Sequence, residues 1–100
     1  MSDPFDPDNF GPEEITIDGI KLAMTCPACP EQYDALGPDG VQVGYLRLRH
    51  GEFRVDHPCC GVETIFYSEE ATGDGAFEPS ERMQFLEQAV TAIKRRLERR

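Results

Sequence analysis

Two short segments of this 100-residue chain repeat one arrangement of donor side chains, and no other feature constrains the fold as strongly. The first is Cys26-Pro27-Ala28-Cys29 and the second is His57-Pro58-Cys59-Cys60. In each, two donors are separated by two residues, and a proline occupies the second position. Because this spacing lets both donors of a turn converge on one ion, paired turns of this kind are typical of structural zinc sites.

The two turns together predict a tetrahedral zinc site with Cys26, Cys29, His57 and Cys60 as its ligands. The 27 residues between Cys29 and His57 leave room for a loop and one β-hairpin that would bring the turns together. Cys59 is the alternative ligand in the second turn. Since adjacent cysteines on one tetrahedral ion are strained, the pair His57 and Cys60 is favoured.

With these turns the sequence resembles a zinc ribbon, a small domain in which two knuckles hold one zinc ion. The matching residues are Cys-Pro-Ala-Cys at 26–29 and His-Pro-Cys-Cys-Gly at 57–61. The resemblance covers residues 15–67 and implies Cys26, Cys29, His57 and Cys60 as ligands, with a β-hairpin between or beside the knuckles. Two departures are Pro30, where such a knuckle often has glycine, and the surplus Cys59.

A thiol–disulfide redox protein using Cys26 and Cys29 is the main alternative, since a Cys-Pro-Ala-Cys turn suits that chemistry. However, a thioredoxin-like motif opens a long helix, and Pro30 opposes a helix directly after Cys29. Cysteines that are buried and hold no ligand are the third interpretation.

The clearest secondary-structure pattern is a β-hairpin with strands at 43–49 and 52–56. Its two-residue loop, His50-Gly51, pairs residue 47 with residue 54 and residue 46 with residue 55. This register gathers four apolar side chains on one face as a core face, namely Leu46, Leu48, Phe53 and Val55. The other face carries Tyr45, Arg47, Arg49, Glu52, Arg54 and Asp56.

Arg47 and Arg54 face each other across this hairpin. Like charges in this position repel unless an anion or a carboxylate lies between them. One interpretation is a salt-bridge cluster with Glu52, Asp56 or Glu63. The other is a small basic platform that binds a carboxylate or phosphate of a partner, so Arg47 and Arg54 are candidate anion or partner contacts.

Other elements follow from shorter patterns. Residues 15–22 flank Asp18-Gly19 and predict a hairpin, residues 31–40 predict one helical turn and a loop, and residues 62–67 predict a strand. From Pro79 onward the chain predicts a helix with an apolar stripe that packs on the sheet. The stripe consists of Met83, Leu86, Val90, Ile93 and Leu97.

The expected fold is α+β, a small antiparallel sheet of three to four strands built from β-hairpins. A zinc-knuckle pair lies at one edge, and one C-terminal helix packs on the sheet. Residues 1–14, rich in proline and acids, are expected to form a flexible N-terminal arm. Residues 15–100 are expected to form a single zinc-ribbon-like domain.

The net charge of −9 argues against non-specific nucleic-acid binding, because phosphate repels an acidic protein. The basic residues at the C-terminal end complement the helix dipole, with contact to an acidic partner as the alternative. These are Lys94, Arg95, Arg96, Arg99 and Arg100. No apolar run approaches a membrane span, and residues 1–6 do not resemble a signal peptide, which predicts a cytoplasmic protein.

No phosphate-binding loop, nucleophile elbow or zinc-protease motif points to an enzyme. The sequence therefore predicts a protein-interaction or accessory module with a structural zinc ion and an unknown protein partner. It would be a monomer or a weak homodimer through the C-terminal helix.

Overall fold

A computed structural model describes residues 14–27 and 30–98, which form one antiparallel sheet and one helix. Most of the predicted N-terminal arm, together with Ala28, Cys29, Arg99 and Arg100, lies outside the described residues. The elements are β1 (Glu14–Ile17), β2 (Ile20–Cys26), β3 (Glu31–Leu36), β4 (Gln42–Arg49), β5 (Glu52–Asp56), β6 (Thr64–Ser68) and α1 (Pro79–Glu98). The α+β class is confirmed, but the described part of the chain has six strands, not three or four.

The strands follow chain order, β1-β2-β3-β4-β5-β6, so each pairs with its neighbour in sequence. Both predicted two-residue hairpin loops form. Asp18 and Gly19 have φ values of 51° and 87°, and His50 and Gly51 have 54° and 76°. Positive φ at both loop positions matches the twist of the flanking strands. The loop between β4 and β5 produces the predicted register, with Arg47 opposite Arg54 and Leu46 opposite Val55.

Strand β3 replaces the helical turn predicted within residues 31–40. Glu31, Tyr33 and Ala35 are buried, whereas Gln32, Asp34 and Leu36 between them are half-buried. This is the two-residue alternation of a strand, but a glutamate occupies one of its core positions. The helical-turn prediction was wrong because nothing local in the sequence shows that Glu31 is neutralised inside the core.

Helix α1 covers one face of the sheet, which we call the covered face. Its buried residues are Arg82, Phe85, Leu86, Ala89, Val90 and Ile93. The predicted stripe is thus right at its centre, whereas Met83 at its start is 44% exposed. The helix lies close to β4 because Gly44 has no side chain, and a Cβ atom there would lie 2.6 Å from Ile93 Cδ1.

Both ends of α1 are held by charged side chains. At the start, the Glu81 carboxylate accepts a hydrogen bond from the N–H of Glu78, the residue before the helix, as in a capping box. It also accepts hydrogen bonds from the Thr72 and Gly73 N–H groups, which ties the preceding loop to the helix. Near the end, two basic side chains reach the two opposite edges of the sheet, one at β1 and one at β6. Lys94 Nζ lies 2.8 Å from Asp18 Oδ2, and Arg96 Nε lies 3.1 Å from Glu63 Oε1.

Candidate functional site

The structure contradicts the zinc prediction. Within residues 14–27 and 30–98, no three histidine, cysteine, aspartate or glutamate side chains are grouped so that they could hold a metal ion. The predictions of a zinc ribbon, of its knuckle pair and of a zinc cofactor were therefore wrong. Of the predicted ligands, Cys26, His57 and Cys60 are described, as is the alternative Cys59, but they form no such group, and Cys29 lies outside the described residues.

The reason is the number of strands between the two turns. The prediction placed one hairpin there, and two strands would return the chain to the same end of the sheet. Three strands, β3, β4 and β5, actually intervene. Cys26, at the end of β2, and His57, after β5, therefore lie at opposite ends of the sheet and three strand spacings apart, or roughly 14 Å sideways.

The turn after β5 is instead closed by its own polar groups. The Asp56 carboxylate accepts hydrogen bonds from the Gly61 N–H and the Thr64 hydroxyl, both at 2.8 Å. His57 Nδ1 lies 2.7 Å from the Val43 carbonyl oxygen, to which it donates a hydrogen bond. Asp56 is 1% exposed, so the carboxylate that holds this turn is itself part of the packed structure. The redox alternative stays a prediction, because it requires Cys29.

The face of the sheet opposite α1 carries polar side chains, and we call it the open face. Strand register aligns one residue from each of β2 to β6 across this face. We call this line the arginine row, and it consists of Cys26, Gln32, Arg47, Arg54 and Tyr67. The neighbouring line contains Asp34, Tyr45 and Asp56.

Arg47 and Arg54 are direct cross-strand partners at the centre of the arginine row, and both are half-buried. Side chains so placed have Cβ atoms about 5 Å apart. Of the carboxylates predicted to neutralise them, only Asp56 is in range, with Oδ1 3.4 Å from Arg54 Nε. Glu63 pairs with Arg96 instead.

This neutralisation is incomplete. Both Asp56 oxygens already accept hydrogen bonds from the turn, and Arg54 Nε is buried without a hydrogen-bond partner in the described part of the chain. Arg47 forms neither an ion pair nor a hydrogen bond with any described residue. The open face therefore presents two adjacent arginines, of which only Arg54 lies beside a carboxylate, and the oxygens of that carboxylate already accept other hydrogen bonds.

Two tyrosines flank the arginines and stay neutral. Burial raises the pKa of Tyr45, and Cys60 and Asp34 raise it further, while Arg47 and Arg54 oppose the shift without cancelling it. The Tyr67 hydroxyl donates a hydrogen bond to Glu69 at 2.9 Å, which raises the pKa of Tyr67 to about 12. Both phenols therefore remain protonated near neutral pH.

The covered face contains a second charged group that sequence reasoning missed. Glu31 accepts hydrogen bonds from Arg82 Nε at 3.0 Å, from Arg82 Nη2 at 3.2 Å and from the Phe77 N–H at 2.9 Å. The Tyr33 hydroxyl donates a further one, and burial raises the pKa of Tyr33. The sequence feature that could have indicated this group is Arg82, a basic residue on the same helix face as the apolar Phe85 and Leu86. This group joins α1 to β3 and is fully satisfied.

Among the described residues, no helix is both long and apolar enough to cross a membrane. Comparison with protein families, with curated proteins and with solved structures finds no match to this chain.

Proposed function

We propose that this protein is a non-enzymatic interaction module whose arginine row binds a carboxylate-bearing segment of a partner protein. The observation that carries the proposal is the facing pair Arg47 and Arg54. Among the described residues only Asp56 forms an ion pair with either of them, and both of its oxygens already accept hydrogen bonds. A carboxylate from outside would supply the missing acceptor and remove the repulsion between the arginines.

The geometry suits a carboxylate. Guanidinium groups bind carboxylates through two parallel N–H donors, and such charge-assisted hydrogen bonds are stronger than neutral ones. Arg47 and Arg54 are half-buried, so water screens an ion bound between them less than it would at a fully exposed site. Gln32, in the same row, and Tyr45, beside it, add neutral hydrogen-bond donors.

A protein carboxylate is favoured over a nucleic-acid backbone because of the charge around the row. The chain carries a net charge of −9, which repels a long polyanion such as a nucleic acid. A short acidic segment needs only the central pair of arginines. Glu52 lies on the open face beside them, and Glu69 holds the hydroxyl of Tyr67, so the basic surface is small.

The test is calorimetric titration of the full chain with a short oligoglutamate peptide, with the matching oligoglutamine peptide as control. Binding is expected only for oligoglutamate, and it should weaken as salt is added. The double variant Arg47→Ala/Arg54→Ala should bind at least about tenfold more weakly, because each hydrogen bond to a charged group contributes about 1.5–3 kcal/mol.

Lys21→Ala is the matched control, since it removes one positive charge from the same face but at β2, where Lys21 pairs with Glu14. It should leave the affinity unchanged. Equal weakening by Lys21→Ala and by the double arginine variant would show diffuse attraction and contradict the proposal. Binding of inorganic phosphate in preference to the peptide would contradict the choice of ligand.

A further inference from the structure

Strand β6 is an open edge of the sheet and carries no charged residue. Its sequence is Thr-Ile-Phe-Tyr-Ser over Thr64–Ser68, and its only partner strand within the described residues is β5. Edge strands of monomeric proteins are commonly protected by charges. The opposite edge, β1, carries Glu14, which pairs with Lys21 at 3.2 Å. The β6 edge has no such protection in its own five residues.

An open groove runs beside this edge, between β6 and α1. Its cavity volume is about 460 Å³, with Phe66 on the strand side and Glu87, Gln88, Thr91, Ala92 and Arg95 among the residues on the helix side. Phe66 is the middle residue of β6 and is only partly buried against the core. The groove thus places an incompletely covered aromatic ring next to an unpaired strand edge.

The groove carries one acidic and one basic residue, placed so that two copies of the groove would have complementary charges. Glu87 and Arg95 lie four residues before and four residues after Thr91, so each is about 6 Å from it along the helix axis. Neither charge forms an ion pair with another described residue. A two-fold axis through the region of Phe66 and Thr91 would set Glu87 of one copy against Arg95 of the other, twice.

We propose that a second copy of this chain occupies this groove. The two β6 strands pair antiparallel about the axis, which extends the sheet, and the two α1 helices lie side by side with Glu87 facing Arg95. The strand edge, the half-covered Phe66 and the self-complementary charges all lie at the same place. The arginine row lies on the other face, so the dimer leaves it accessible and presents two such rows on one side of the joined sheet.

Sedimentation equilibrium of the full chain over a range of concentrations tests this. The unaltered protein is expected to dimerise. Glu87→Arg gives each copy two positive charges at the interface, and Arg95→Glu gives each copy two negative charges, so each variant alone should dimerise at least about tenfold more weakly. An equimolar mixture of the two variants should dimerise again, because both contacts of the mixed pair are then attractive.

Recovery in the mixture separates this interface from a loss of folding, since a misfolded variant would not be rescued by a folded one. The proposal is overturned if the unaltered protein stays monomeric at the highest concentration reached. It is equally overturned if the single variants dimerise as well as the unaltered protein, or if the mixture stays monomeric.

Discussion

The two faces of the sheet use charge in opposite ways. On the covered face, the buried carboxylate of Glu31 accepts hydrogen bonds from Arg82, Tyr33 and the Phe77 N–H, so both charges of this ion pair have partners. On the open face, Arg47 forms no ion pair or hydrogen bond with any described residue, and Arg54 Nε is buried without a hydrogen bond to any of them. On the face covered by α1, the buried ion pair is satisfied within the protein. On the face without a second layer, the arginines are left incompletely neutralised and are available to bind another molecule.

The largest predicted effect comes from breaking the satisfied pair. Arg82→Met should lower the free energy of unfolding by about 3–5 kcal/mol, because the carboxylate of Glu31, whose side chain is 0% exposed, loses its counter-charge. Urea unfolding followed by circular dichroism measures this.

The double variant Glu31→Gln/Arg82→Met is the control for that result. It removes both charges but keeps an amide oxygen that can accept a hydrogen bond from the Phe77 N–H or the Tyr33 hydroxyl, so it should recover part of the lost stability, because no unpaired charge is left buried. If the single variant costs less than about 1 kcal/mol, the pair does not hold α1 to the sheet as described.

A smaller effect is predicted at the start of α1. Burial raises the pKa of Glu81, but its hydrogen bonds from the Thr72, Gly73 and Glu78 N–H groups outweigh that, and the pKa lies below its ordinary value of 4.5. The stabilisation is therefore fully present above pH 4.5 and is lost as the pH falls through the lowered pKa.

Glu81→Gln should cost about 1 kcal/mol at neutral pH, within the range measured for other helix caps. The difference from the unaltered protein should disappear in strong acid, where Glu81 is protonated. Urea midpoints measured at both pH values test this, and a difference that persists in acid would show that the charge of Glu81 is not what stabilises the helix.

The smallest predicted effect on stability belongs to the open face. Arg47→Ala should change the free energy of unfolding by no more than about 0.5 kcal/mol, and a small gain is expected, because the variant removes a like-charge pair. The same urea titration measures it. A loss comparable to that of Arg82→Met would mean that Arg47 is structural, and the contrast between the two faces would fail.

The parts of the fold that the sequence predicts are those set by local patterns. The hairpin of β4 and β5 was predicted in its register, because His50 and Gly51 fix a two-residue loop and apolar residues alternate on both sides. That register also placed Arg47 opposite Arg54. Strand β3 was missed because Glu31 is a core residue only by virtue of Arg82, which lies 51 positions further along the chain.

The zinc error has the same origin. Equal spacing in the turns at 26–29 and 57–60 describes local geometry, but whether two turns meet depends on how many strands separate them. One unpredicted strand changes that number from even to odd and moves the second turn to the other end of the sheet. Local sequence likewise could not show that Asp56 is occupied by its own turn and leaves the arginines incompletely neutralised.

Arg47 and Arg54 are proposed to bind a carboxylate of another molecule. Nitrogen-15 NMR of the arginine Nε–H groups can detect this binding at Arg54 itself while the oligoglutamate peptide is added. We expect a saturable downfield shift of the Arg54 Nε–H proton as it gains an acceptor. The shift should be absent with oligoglutamine and abolished by Arg47→Ala. A resonance that does not move when the peptide binds would contradict it.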